Sequence, residues 1–112
     1  MKSIFIPILM LFFLSACSKS QPQDPIPAHD TFKIVSKHVA ETRVINVWTP
    51  PNYTTTTDSL PVLYMADGGI NEDFPHIANT IAQLIKSKSI APIILVGIEN
   101  TVRRRDLTGP TQ

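Results

Sequence analysis

The polar and apolar positions of the chain fall into distinct patterns. Residues 31–39 and 43–49 are rich in β-branched and aromatic side chains, and Ala40-Glu41-Thr42 between them predicts a hairpin connection. In the second of these strands Val44, Asn46 and Trp48 fall on one face and Ile45 and Val47 on the other, which suits a strand near a sheet edge. Pro50-Pro51 ends it, because neither proline donates a ladder hydrogen bond. After a polar, threonine-rich loop, residues 62–66 (VLYMA) form a continuous apolar strand. That pattern is expected when helices cover both faces of a parallel sheet. Asp67-Gly68-Gly69 breaks the run. Phe74, Ile77, Ala78, Ile81, Leu84 and Ile85 then recur three or four apart, opposite His76, Asn79, Thr80, Gln83 and Lys86. This spacing predicts an amphipathic helix with Asp73 as N-cap and Pro75 in the first turn. Residues 93–96 (IILV) predict a second buried strand, ending at Gly97, with no further strand or helix after it.

Strand, helix and strand joined by short links make a right-handed crossover with parallel pairing. The predicted class is α/β: two N-terminal strands followed by one strand-helix-strand unit. Lys plus Arg is 10 and Asp plus Glu is 9, so the net charge is +1 and no basic tract points to nucleic acid. A hydrophobic content of 43% with 17% charged residues predicts a packed core. Cys17 is the sole cysteine, which excludes an internal disulfide or a multi-cysteine zinc site.

The N-terminus has a different logic. Ile4 to Leu14 is an unbroken apolar run behind Lys2. It is short of the about 20 residues that span a bilayer, and its length suits the centre of a secretory signal. Leu14-Ser15-Ala16-Cys17 resembles a bacterial lipobox, which implies removal of residues 1–16 and acylation of Cys17. Acyl chains contribute about 0.8 kcal/mol per buried methylene, so such an anchor would hold the protein at a membrane. Ser18 after the cysteine resembles the pattern sorted to the outer membrane, facing the periplasm or the cell surface. Residues 17–30, with Pro22, Pro25 and Pro27, predict an extended tether, and residues 31–112 the domain.

The runs VWTPPNY (47–53), LPVLYMADGG (60–69), VGIEN (96–100) and RRRDLTGP (103–110) are together similar to the opening of the esterase D-like esterases. These are α/β-hydrolases that include the ferric enterobactin esterases. The resemblance implies an incomplete α/β-hydrolase sheet and a serine hydrolase of small-molecule carboxylic esters. It also implies a nucleophile in G-x-S-x-G followed by Asp and His, and no metal or other cofactor. The glycines stand at 68, 69, 97 and 109, so no serine of this sequence has that setting. The chain therefore reads as the N-terminal part of such an enzyme, inactive alone. The alternative is a non-catalytic surface lipoprotein that serves as a binding or structural module.

By the same resemblance, the loop after the first buried strand donates a backbone amide to the oxyanion, which places Gly69 first and Gly68 second. Glycine there admits close approach and a positive φ, and one such donor is worth about 3 kcal/mol in an intact enzyme. A turn off the strand is the alternative use of the pair. Arg103, Arg104 and Arg105 could contact an anionic substrate or lipid head group, or pin the loop through Asp106 or Glu99. Glu72, Asp73 and His76 lack any zinc-helix motif, and acids at a helix start are explained by the macrodipole. His29 and His38 read as solvated.

Overall fold

A computed structural model describes residues 23–109 of the chain. Its order is β1 (Asp30–Ser36), β2 (Glu41–Trp48), a 3₁₀ turn at Tyr53–Thr55, β3 (Val62–Met65), α1 (Phe74–Lys86), β4 (Ile94–Ile98) and α2 (Arg103–Leu107). The four strands form one open sheet in the order β1-β2-β4-β3. β1 and β2 are antiparallel with Asp30 opposite Val47 and Ser36 opposite Glu41, β4 runs antiparallel to β2, and β3 runs parallel to β4. The predicted α/β architecture and its crossover are what is observed.

Several boundaries differ from the sequence reading. The hairpin turn is residues 37–40, with Ala40 at φ 52°, so β1 stops at Ser36 and Glu41 and Thr42 belong to β2. β4 does not end at Gly97 but continues to Ile98, because Gly97 pairs with Asn46 on one side and Met65 on the other. The chain after Gly97 is not without structure: α2 follows. β3 is an edge strand and not a strand covered on both faces, so Val62, Leu63 and Tyr64 are 42%, 44% and 68% exposed.

The core lies between α1 and one face of the sheet. Trp48, Phe74, Ala78, Ile81 and Leu95 are buried together, with Met65, Ile77, Ile85 and Ile93 packed around them. Trp48 and Leu95 are paired across β2 and β4, hence on one face, which also carries Asn46 and Gly97. Leu84, predicted for the same stripe, is 38% exposed and stands outside the buried cluster. Asp73 holds the N-cap position, but its side chain makes no capping bond; its backbone carbonyl accepts from Ile77 N–H at 3.1 Å. At the other end Lys88, at φ 60°, and Ser89 donate to the carbonyls of Ile85 and Leu84, a Schellman ending.

Residues 23–29 are more than a spacer. Asp24 Oδ2 lies 2.8 Å from His76 Nδ1, the Pro25 carbonyl accepts from Asn79 Nδ2 at 2.8 Å, and the His29 ring stands edge-on to Phe74 at 5.2 Å. The segment lies along the first turns of α1. His29 is thus half-buried against the core and not free in solvent.

α2 is pinned to the hairpin by charge. Arg43 donates to Asp106 through two nitrogens, at 2.7 and 3.1 Å, and Arg105 bridges Glu41 and Asp106. Asp106 also accepts from the backbone amides of Thr101 and Val102. These donors, Arg43 first, hold its carboxyl well below the usual carboxylate range against the opposing effect of burial.

Two predictions follow from this packing. Phe74→Ala removes a fully buried ring at the centre of the core and is expected to cost about 3–5 kcal/mol in urea denaturation. A lowered carboxyl pKa stabilises the fold above the unfolded value of about 4 and is lost as pH falls below it. Chemical denaturation at neutral and acid pH should therefore show a smaller acid loss for Asp106→Asn than for the unmodified chain.

Candidate functional site

The parallel strands β3 and β4 both end at the same edge of the sheet, where an open α/β sheet places its ligands. Two loops meet there: Ala66–Asp73 after β3 and Glu99–Val102 after β4. Asp67, Asn71, Glu72, Asp73 and Arg103 line an open recess of about 330 Å³ between them.

Gly68 is pressed against β4. Its N–H donates to the Ile98 carbonyl at 3.0 Å, and a Cβ built on it would lie 2.2 Å from Ile98 N and 2.3 Å from the Gly97 carbonyl carbon. No side chain fits. From the helix side, a Cβ on Gly97 would meet Phe74 Cδ2 at 2.6 Å and the Gly68 carbonyl oxygen at 2.7 Å. Asn46 completes this joint. It is 1% exposed, donates through Nδ2 to the Gly68 carbonyl at 2.8 Å, and accepts from Thr31 Oγ1 at 2.8 Å. Neither Gly68 nor Gly69 has a positive φ; the residue that does is Asp67, at 52°. The glycine pair answers to close approach and not to left-handed backbone.

Asp67 is held in that conformation by its partners. Its carboxylate accepts from Arg103 Nε at 2.8 Å and Nη2 at 3.0 Å, and from Asn100 Nδ2 at 2.5 Å. Arg103, then Asn100, keeps the carboxyl below its ordinary range, with burial acting the other way. Gly69 N–H donates to Glu72 Oε2 at 2.7 Å. Glu72 in turn accepts from Asn100 N–H at 3.3 Å and from Asn100 Nδ2, on Oε1, at 2.8 Å.

Of the three arginines, Arg103 is paired with Asp67, Arg105 with Glu41 and Asp106, and Arg104 is exposed. Among the described residues Glu99 takes no arginine; its N–H donates to the Val44 carbonyl at 3.0 Å. Glu72 and His76 point to different partners, Gly69 and Asp24. His38 is exposed in the hairpin turn. Cys17 lies outside the described residues.

Asn46 and Asn100 carry no functional role in the sequence reading, and Glu72 enters it only as an acid at a helix start, weighed against a metal site. Only Asn46 carried a signal: an amide in a β-branched strand is out of place unless it has a partner. Replacing Gly68 by Ala is expected to destabilise by about 1–3 kcal/mol through overpacking, measured as a lower denaturation midpoint at unchanged slope.

Residues 36–109 match the model of the family described as "Putative esterase". Among solved structures, an IroE-like serine hydrolase from Shewanella oneidensis is 31% identical, with a TM-score of 0.67 over 72% of this chain and 26% of that one. The BES protein from Bacillus cereus is 21% identical, with a TM-score of 0.54 over 73% of this chain and 31% of that one. A ferulic acid esterase is 18% identical, with a TM-score of 0.50 over 67% of this chain and 32% of that one. The last two show a shared fold. No curated protein matches. The chain spans between a quarter and a third of the length of these structures. The four sequence runs, the β1-β2-β4-β3 sheet and the family match agree, and the chain belongs to this esterase family.

Proposed function

We propose that residues 31–112 are the N-terminal part of a serine carboxylic-ester hydrolase. The observation that carries this reading is the 31% identity to a serine hydrolase of which the chain spans 26%. The free edge of β3 supports it: Val62, Leu63 and Tyr64 are exposed there, and a further strand on that edge would cover them. So does the second sheet face, where Phe32, Ile34, Tyr64 and Ile98 stand exposed although their type suits a core.

In this reading the loop after β3 supplies a backbone donor to the oxyanion of the tetrahedral intermediate, Gly69 first and Gly68 second. Gly68 N–H is engaged by Ile98, so Gly69 is the donor that a moving side chain can release. Nucleophile, acid and base come from a G-x-S-x-G and a later Asp and His beyond these residues. The substrate is a small-molecule ester. A non-catalytic surface lipoprotein that serves as a binding or structural module is the second reading.

We further propose a lipid anchor at the N-terminus. Residues 1–16 are a lipoprotein signal, Cys17 carries the lipid, and the domain sits at the outer membrane, facing the periplasm or the cell surface. Residues 1–22 lie outside the described residues.

A short-chain nitrophenyl ester tests the catalytic reading. Residues 1–112 alone should show no turnover above background. A longer product of the same reading frame should hydrolyse the ester, and Ala at its G-x-S-x-G serine should abolish this. Serine-dependent turnover by residues 1–112, or none by the longer product, contradicts the reading. Radiolabelled palmitate should enter the protein in cells and fail to enter Cys17→Ala; equal labelling contradicts the anchor.

A further inference from the structure

The Glu72 carboxylate sits where a bound anion would. Oε2 accepts from two backbone amides that converge from different loops, Gly69 at 2.7 Å and Asn100 at 3.3 Å. Oε1 accepts from Asn100 Nδ2 at 2.8 Å, whose second hydrogen serves Asp67. With Glu72 in place Gly69 is buried and Glu72 half-buried on the wall of the open recess, so a carboxylate that leaves is replaced on these donors by water of the recess or by another anion. Buried backbone donors left without a partner are costly, and the pair therefore demands an acceptor. The space is filled to contact: a Cβ on Gly69 would lie 2.9 Å from Glu72 Oε2.

We propose that Gly69 N–H, Asn100 N–H and Asn100 Nδ2 form a carboxylate-binding cradle in which Glu72 is the resident ligand. Gly69 N–H at 2.7 Å and Asn100 Nδ2 at 2.8 Å fall within the about 2.7–3.1 Å that stabilises an oxyanion, and Asn100 N–H at 3.3 Å is a longer third contact. Glu72 thereby holds the two loops together and blocks the Gly69 amide until it is displaced. The blocking role rests on the oxyanion reading above; the cradle itself does not. Arg103 pairs with Asp67 and makes no hydrogen bond to Glu72; its charge acts on Glu72 only through space, and the direct partners of the resident carboxylate are these three donors.

The cradle is tested by chemical rescue, read in stability and without any ester. Glu72→Ala in the full chain empties it while leaving all three donors. Acetate, titrated in at constant ionic strength, should raise the melting temperature of Glu72→Ala by about 4 °C or more once it exceeds its dissociation constant several-fold. It should leave the unmodified chain unmoved, because its cradle is filled, and Glu72→Gln unmoved, because the amide occupies the same space although its NH2 cannot accept a hydrogen bond. Chloride at the same ionic strength should do nothing. If Glu72→Ala folds only with acetate, the proposal is supported equally. If acetate neither stabilises nor refolds it, or chloride does as well, the cradle is overturned. Ester hydrolysis plays no part in this readout, so a failure of the catalytic reading leaves a separate mark.

Discussion

The structure turns on one close approach of backbone to backbone, Gly68 against Gly97. A side chain on either glycine would overlap the other's main chain, and on Gly97 it would also overlap Phe74. Because β4 is the central strand that joins the hairpin to β3, this contact fixes where the loop after β3 leaves the sheet. Phe74 then seats α1 on the same face, and the buried Asn46 amide binds the Gly68 carbonyl from β2. Three elements far apart in sequence meet at two residues that have no side chains.

From that joint the polar cluster at the sheet edge is built outward. With Gly68 spent on β4, the next amide, Gly69, turns to Glu72, and Asn100 ties Glu72 to Asp67. Among the described residues Arg103 is the cation paired with Asp67. A separate ion-pair group, Arg43, Arg105, Glu41 and Asp106, holds α2 to the hairpin and so keeps Arg103, at its first position, near the recess. Local helix propensity contributes little to five residues of α2; its place is set by these charges.

Much of this was legible in the sequence, and the misses have physical reasons. The apolar runs and the three-four spacing of Phe74, Ile77, Ala78 and Ile81 located β3, α1 and β4 because burial selects those patterns directly. The hairpin turn was misplaced because Ala40, and not a glycine, takes the left-handed position. α2 was missed because RRRDL has no apolar period, its order coming from Arg43 and Glu41 some sixty residues away. The glycine pair stands out in the sequence, but the packing of Gly68 against β4 is not visible in spacing along the chain. The docking of residues 23–29 on α1 is likewise tertiary: prolines predicted extension, and Asp24 and Pro25 found partners across the fold.

The most direct measurement of the central claim is amide hydrogen exchange at the loop after β3. If Gly68 is locked to Ile98 and Gly69 to Glu72, both amides should exchange far more slowly than that of exposed Asn71 two residues on. Exchange at Gly68 as fast as at Asn71 would mean that the loop is not seated on β4, and the site built from it would fall.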